Sequence, residues 1–127
     1  MLGGAAFDKI IFGEEEPRGR LTISIPYHVG QQPIYYNTVR GQHGHRYADM
    51  TQRPKYEFGY GLTYTKFEYS NAKLDKKTYK KEDTIIVTVN IKNVGKRKGT
   101  EVVQIYINDV VTSLTWATIE LKGYSVV

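Results

Sequence analysis

The chain has 127 residues, 40% hydrophobic and 24% charged, with a formal net charge of +5 and no cysteine. That composition describes a globular chain of one ordinary domain, or a small domain with an appendage, and excludes disulfides and thiolate metal sites. No apolar run approaches the ~18 residues that a membrane helix requires, so no membrane role is expected.

The first residues, MLGGAAFDKIIFG, lack the basic start and long apolar stretch of a signal peptide. Residues 4–12 instead predict a short helix: Ala5, Ala6, Ile10 and Ile11 favour one, and Gly13 ends it. After the charged turn EEEPRGR, the stretch LTISIP predicts a strand closed by Pro26. Leu21, Ile23 and Ile25 would lie on one face, with Thr22 and Ser24 on the other. Residues 27–57 mix Gly, Pro, Gln, His and Arg without sustained period and read as an extended connector, with a short strand at PIYYN.

From Lys66 onward the pattern is all-β. KFEYSNAKL alternates around a kink, with Phe67, Tyr69, Ala72 and Leu74 as its expected buried set. In TIIVTVNIKNVG, Ile85, Val87, Val89 and Ile91 share a face, and the turn runs from Asn93-Val94-Gly95 to Gly99. EVVQIYIND places Val103, Ile105 and Ile107 opposite Val102, Gln104 and Tyr106. IELKGYSVV supplies a fourth strand, with a bulge at Gly123. Short alternating strands at this spacing predict a β-sandwich. An immunoglobulin-type sandwich needs about seven strands and about 100 residues, whereas the span from Lys66 accommodates about four. An incomplete sandwich is therefore expected, open enough to favour self-association.

The chemistry-bearing residues do not compose an active site. Glu14 to Glu16 and the pair Glu82-Asp83 are adjacent acids in turns, not carboxylates set across a cleft. His43 and His45 bracket Gly44, but a third metal ligand is in evidence only if His28 or Asp49 supplies it, so no metal is assigned. Ser24, Ser70, Ser113 and Ser125 have no nucleophile-elbow context, and Gly41 and Gly44 make no phosphate loop. Nine Lys or Arg between residues 71 and 100, against Asp75, Glu82 and Asp83, invite a polyanion reading. The lysines fall in turns beside a strand, where solvated charge is ordinary, and no nucleic-acid motif accompanies them, so no nucleic-acid partner is expected. No cofactor is expected.

The densest signal is FGYGLTYTKFEYS at 58–70. It reads as a glycine-hinged joint followed by the first sandwich strand. Phe58, Tyr60 and Tyr64 are the candidate sugar or domain-joint contacts. The rival function is a stand-alone carbohydrate-binding or adhesion module that uses those rings.

GRLTISIP at 19–26, GQQPIYYN at 30–37, FGYGLTYTKFEYS, VNIKNVGKRKGTEVVQIYIND at 89–109 and IELKGY at 119–124 resemble, in order, the C-terminal part of family 3 glycoside hydrolases. That group includes β-glucosidases and β-xylosidases. GGAAFDKIIFGEEEPRGRL is similar to the last helix and strand entry of its α/β-sandwich domain. Glu16-Pro17-Arg18-Gly19-Arg20-Leu21-Thr22 departs from the family's Asn-Pro-Ser-Gly-Arg-Leu-Pro, and Glu57 stands where a proline commonly precedes the Phe-Gly-Tyr-Gly run. The resemblance implies a remnant of the α/β-sandwich domain at 1–26, a connector and joint at 27–65, and a partial fibronectin type III-like domain at 66–127. It also implies a retaining parent enzyme, periplasmic or secreted and bacterial, acting on β-linked gluco- or xylo-oligosaccharides. The aspartate nucleophile and acid/base glutamate of such a parent match nothing here, so no catalytic residue carries over and this chain alone is expected to be inactive. Its partners would be the parent's catalytic domains or a second copy. Arg20, Leu21, Gly59, Gly61, Leu62, Tyr64 and Thr65 match family positions that look structural.

Overall fold

A computed structural model describes residues 3–41 and 49–127. The chain is mainly β, with small helices and two separate two-stranded sheets. It divides into two compact units, one of residues 1–16 and 63–99, the other of residues 17–62 and 100–127.

The first unit begins with helix α1, Gly3–Ile11. Gly13 ends it at φ +76°, with its N–H donating to Ile10 O at 3.0 Å and that of Glu14 to Lys9 O at 2.8 Å. These are the two bonds of a Schellman cap, which needs a residue that tolerates left-handed backbone. Strands β1 (Phe67–Leu74) and β2 (Val87–Asn93) then pair antiparallel from Phe67↔Asn93 to Leu74↔Val87. The kink expected in β1 is present as a register shift between Ser70 and Lys73, with Asn71 at φ 54°. Asparagine is among the few non-glycine residues that take this conformation readily. Its expected buried set differs in degree: Phe67 is half-buried, while Tyr69, Ala72 and Leu74 are exposed.

The lysine-rich segment between the two strands is held by its acids. Asp75 Oδ1 accepts from the Tyr79 hydroxyl at 2.6 Å and from Ile86 N at 3.1 Å. Asp83 Oδ2 accepts from Lys76 Nζ and from Lys80 N, each at 3.2 Å.

The second unit departs from expectation at LTISIP. Leu21 N donates to Tyr60 O and Ile25 N to Tyr56 O, each at 2.8 Å, but only Ile25 and Tyr56 form a bridge. No ladder develops because the facing segment turns: Tyr60 N bonds back to Glu57 O at 3.0 Å, and Gly59 sits at φ +80°. The expected facing is corrected too, since Ser24 is buried and Ile23 is 63% exposed. PIYYN forms no strand. It follows a cis Gln32-Pro33 bond and leads to an isolated bridge between Val39 and Ala117.

Strands β3 (Val102–Ile107) and β4 (Glu120–Val126) pair antiparallel. Ile105 faces Gly123 and Tyr106 faces Leu121, so the extra residue of the bulge is Lys122, one position before the expected Gly123. The better-covered face of β3 carries Val102, Gln104 and Tyr106, whereas Ile105 and Ile107 are exposed.

Among the described residues no apolar side chain is fully buried. The buried ones are Ser24, Gln31 and Glu101, all in the second unit. Gln31 closes the short 3₁₀ turn Val29–Gln31 and organises the connector around it. Its Oε1 accepts from Tyr27 N at 2.6 Å and His28 N at 3.2 Å, and its Nε2 donates to Thr51 O at 2.6 Å and Arg53 O at 3.3 Å. Four backbone groups near the two ends of the connector are thus satisfied by one amide side chain.

Candidate functional site

The second unit contains a cleft of about 590 Å³. Three segments supply most of its lining, residues 33–38 of the connector, the turn at 52–60, and β3 through Gln104 and Tyr106, and Ser24 and Ile119 complete it. Tyr36 stacks on Phe58 with ring centroids 4.1 Å apart and an interplanar angle of 16°, and it meets Tyr106 edge-on at 6.3 Å. Tyr60, 43% exposed, lies 5.0 Å from Tyr56. Such offset and edge contacts suit the quadrupoles of the rings and hold them in fixed orientation.

The polar lining is sparse and fixed. The Tyr106 hydroxyl donates to Gln104 Oε1, and Gln104 Nε2 donates to Gly59 O at 3.3 Å. Burial, and then the nearby Tyr36 and Glu57, push the Tyr106 phenol above its ordinary range, so it stays a protonated donor. Gly59 is required here: a Cβ at that position would stand 2.9 Å from the Tyr106 hydroxyl and overlap the Gln104 amide. Gly61 is required for a different reason, since its Cβ would lie 2.6 Å from the backbone oxygen of Gly19. Arg53 and Glu57 add one charge of each sign. Two buried oxygens of lining residues, Ser24 Oγ and Gln52 Oε1, have no hydrogen-bond partner among the described residues.

The candidates singled out from sequence separate. Phe58 and Tyr60 line this cleft, whereas Tyr64 belongs to the first unit. There its hydroxyl donates to Ile10 O at 2.5 Å and its ring lies 5.3 Å from the Arg97 guanidinium. His43 and His45 lie outside the described residues, and among those described no group of three potential ligands gathers for a metal. Sequence reasoning missed Tyr36, Ser24, Gln52 and Tyr106 as lining residues. Tyr36 carried a signal in the aromatic pair of PIYYN, but the others join the cleft only through long-range pairing. Arg20, a family-matched position, makes a 2.7 Å ion pair with Glu101 in the second unit.

Fold and site together define a mainly β chain whose cleft, among the described residues, is lined by one carboxylate, Glu57, and one guanidinium, Arg53. Residues 1–64 match the model of the glycosyl hydrolase family 3 C-terminal domain. The chain is 39% identical to a periplasmic β-glucosidase of Salmonella typhimurium, over 96% of its own length and 17% of that protein. It is 42% identical to a putative β-xylosidase of Formosa agariphila (97% of this chain, 16% of the relative) and 41% identical to thermostable β-glucosidase B of Acetivibrio thermocellus (97% and 18%). Among solved structures, a β-glucosidase involved in saponin metabolism from intestinal bacteria superposes with a TM-score of 0.90 at 44% identity, over 100% of this chain and 17% of that one. The glucose complex of a Listeria innocua β-glucosidase gives a TM-score of 0.87 at 33% identity, over 94% and 18%. The chain belongs to glycosyl hydrolase family 3 and corresponds to its C-terminal region. It spans about a sixth of the length of the curated relatives it matches.

Proposed function

We propose that the chain serves as the non-catalytic C-terminal portion of a retaining β-glucosidase or β-xylosidase, bracing catalytic domains that carry both carboxylates. The observation that carries this reading is the ordered family likeness together with apolar surface that the chain does not cover itself. Phe7, Ile11 and Phe12 on and just after α1 are 66%, 57% and 76% exposed, and Val111, Leu114 and Trp116 are 86%, 76% and 55% exposed. Surface of that kind marks association with further protein. On this reading residues 1–26 belong with an α/β-sandwich domain, 27–65 form the joint, and 66–127 form part of a fibronectin type III-like sandwich. Phe58, Tyr60 and Tyr64 are then sugar or domain-joint contacts, and the same apolar surface drives self-association when the chain is alone. The parent is periplasmic or secreted, in keeping with the periplasmic relative, and acts on β-linked gluco- or xylo-oligosaccharides.

The test is an assay of this chain on aryl β-glucosides and β-xylosides. No turnover is expected. Turnover that disappears in Glu57→Gln would overturn the non-catalytic reading.

A further inference from the structure

We propose that the polar face of the β1–β2 hairpin is a docking surface for an acidic polymer, a linear polyuronate whose carboxylates meet a row of lysines. Such a partner is an anchor and not a substrate, and the inference does not rest on the proposed parent activity.

The pairing register builds the surface. Glu68 lies opposite Lys92, Ser70 opposite Asn90, and Lys73 opposite Thr88. Opposed residues share a face of a sheet, as do residues two apart on one strand. Asn90 and Thr88 are two apart, so the register shift between Ser70 and Lys73 returns Lys73 to the face of Ser70. Lys66 precedes Glu68 by two positions and continues the row, with Val94 N donating to its carbonyl at 2.8 Å. All of these residues are exposed. Lys73 and Lys92 therefore stand on strands and not in turns, and the row from Lys66 to Lys73 is roughly 20 Å long at about 3.3 Å per residue.

Charge on this face is one-sided. Its one carboxylate, Glu68, lies 3.8 Å from Lys66 Nζ, while Lys73 and Lys92 have no ion-pair partner among the described residues. Exposed lysines extend the same sign past both ends, with Lys77, Lys80 and Lys81 in one turn and Lys96 and Lys98 in the other. In the first of these turns Glu82 is the remaining acid, since Asp75 and Asp83 are engaged in the bonds that close it. Those bonds fix the lysine backbone before a ligand arrives.

The groups between the charges select the partner. Ser70, Thr88 and Asn90 donate and accept hydrogen bonds, which suits a hydroxyl-rich chain that carries carboxylates at intervals. Among the described residues this face has no aromatic ring for a nucleobase to stack on, since Tyr69 alternates to the opposite side with Ile91. Nor does it carry an apolar side chain to enter a bilayer. The hairpin's one arginine, Arg97, is committed to Gly13 O and to the Tyr64 ring, which leaves no free guanidinium fork for phosphate.

The experiment measures binding of the whole chain to polygalacturonate by isothermal titration calorimetry. It is run in about 0.15 M sodium chloride, where the Debye length is about 8 Å and remote charges are screened. Saturable binding is expected, tighter than to duplex DNA or phosphatidylglycerol vesicles and absent with neutral dextran. The triple variant Lys66→Gln, Lys73→Gln, Lys92→Gln should weaken it about tenfold, at about two- to threefold for each exposed charge. Lys9→Gln, Lys55→Gln, Lys122→Gln removes the same charge from exposed positions outside the hairpin and should change binding by less than about twofold. Glu68→Gln should strengthen binding by about twofold, and this single exposed change keeps the test open should the triple variant fail to fold by circular dichroism. Equal weakening in the two triple variants would show that net charge alone is read and would overturn the proposal. So would weaker binding in Glu68→Gln, equal binding of dextran, tighter binding to DNA or vesicles, or no saturable response to polygalacturonate.

Discussion

The two units solve the same problem, ordering a short hairpin and its attached irregular backbone, by different means. In the first unit no described residue is buried, and order comes from turns: the glycine cap of α1, the left-handed Asn71, and the Asp75 and Asp83 bonds inside the lysine-rich loop. In the second unit three polar side chains are buried, and two of them hold long-range structure. Gln31 joins positions about twenty residues apart, and Glu101 receives Arg20 across |i−j| = 81. A hairpin secured by local turns tolerates loss of any one contact. A loop held through one buried amide does not, because its removal orphans several backbone groups at once.

The largest effect is therefore expected at Gln31. Gln31→Ala removes four hydrogen bonds and should destabilise the second unit by about 2–3 kcal/mol, read as a lower midpoint in urea. Val87→Ala, on the half-open β2 of the first unit, should cost less than about 1 kcal/mol. Equal costs would break the contrast. Arg20→Ala comes next: it leaves Glu101, whose side chain is only 10% exposed, without its guanidinium partner. Stripping one partner from a largely buried pair costs on the order of 3 kcal/mol, reduced here because Arg20 keeps some solvent contact and Glu101 has further interactions. Gly59→Ala should follow at about 2 kcal/mol, from left-handed backbone and from the overlap with Gln104 and Tyr106. A smaller cost than Val87→Ala would show that the turn at 57–60 shifts freely.

How much of this was legible in the sequence follows from the range of each interaction. The helix end at Gly13 and the kink in β1 at Asn71 were readable because each depends on a residue whose backbone preferences are local, whereas the bulge in β4 was readable only to within a residue, since Lys122 is the extra one and Gly123 pairs with Ile105. Family membership was readable because motif order survives without any knowledge of contacts. The connector was not. Its order rests on Gln31 reaching Thr51 and Arg53, and an exposed-looking glutamine beside Gly30 carries no mark of that role. LTISIP misled for the complementary reason: its alternation is real, but the segment across from it turns at Gly59 and offers no ladder to join. The cleft shares this character. Phe58 and Tyr60 were visible as an aromatic run, while Ser24 and Gln52 acquire meaning only when pairing brings them to the same lining.

The smallest effect, and the sharpest probe of the locally ordered unit, is a titration of the loop at 75–86. The Tyr79 hydroxyl lowers the Asp75 pKa below its ordinary 3.8. Slight burial opposes that shift, and the Ile86 amide adds to it. A carboxyl with a lowered folded pKa contributes stability that is present above its unfolded pKa and is lost as pH falls through the folded one. The partner behaves in the opposite sense. Burial first, and then donation to Asp75, raise the Tyr79 pKa above 10.0, so its contribution is complete below that value and fades as pH rises through the folded pKa. The loop should therefore stay closed across the intervening range and open at both extremes. Carboxyl ¹³C shifts should show Asp75 titrating below an exposed aspartate, and Tyr79→Phe should return it toward the ordinary value while leaving the pairing of β1 with β2 in place. An unchanged Asp75 midpoint in Tyr79→Phe would mean that this bond does not order the loop, and the first unit would then owe its order to strand pairing alone.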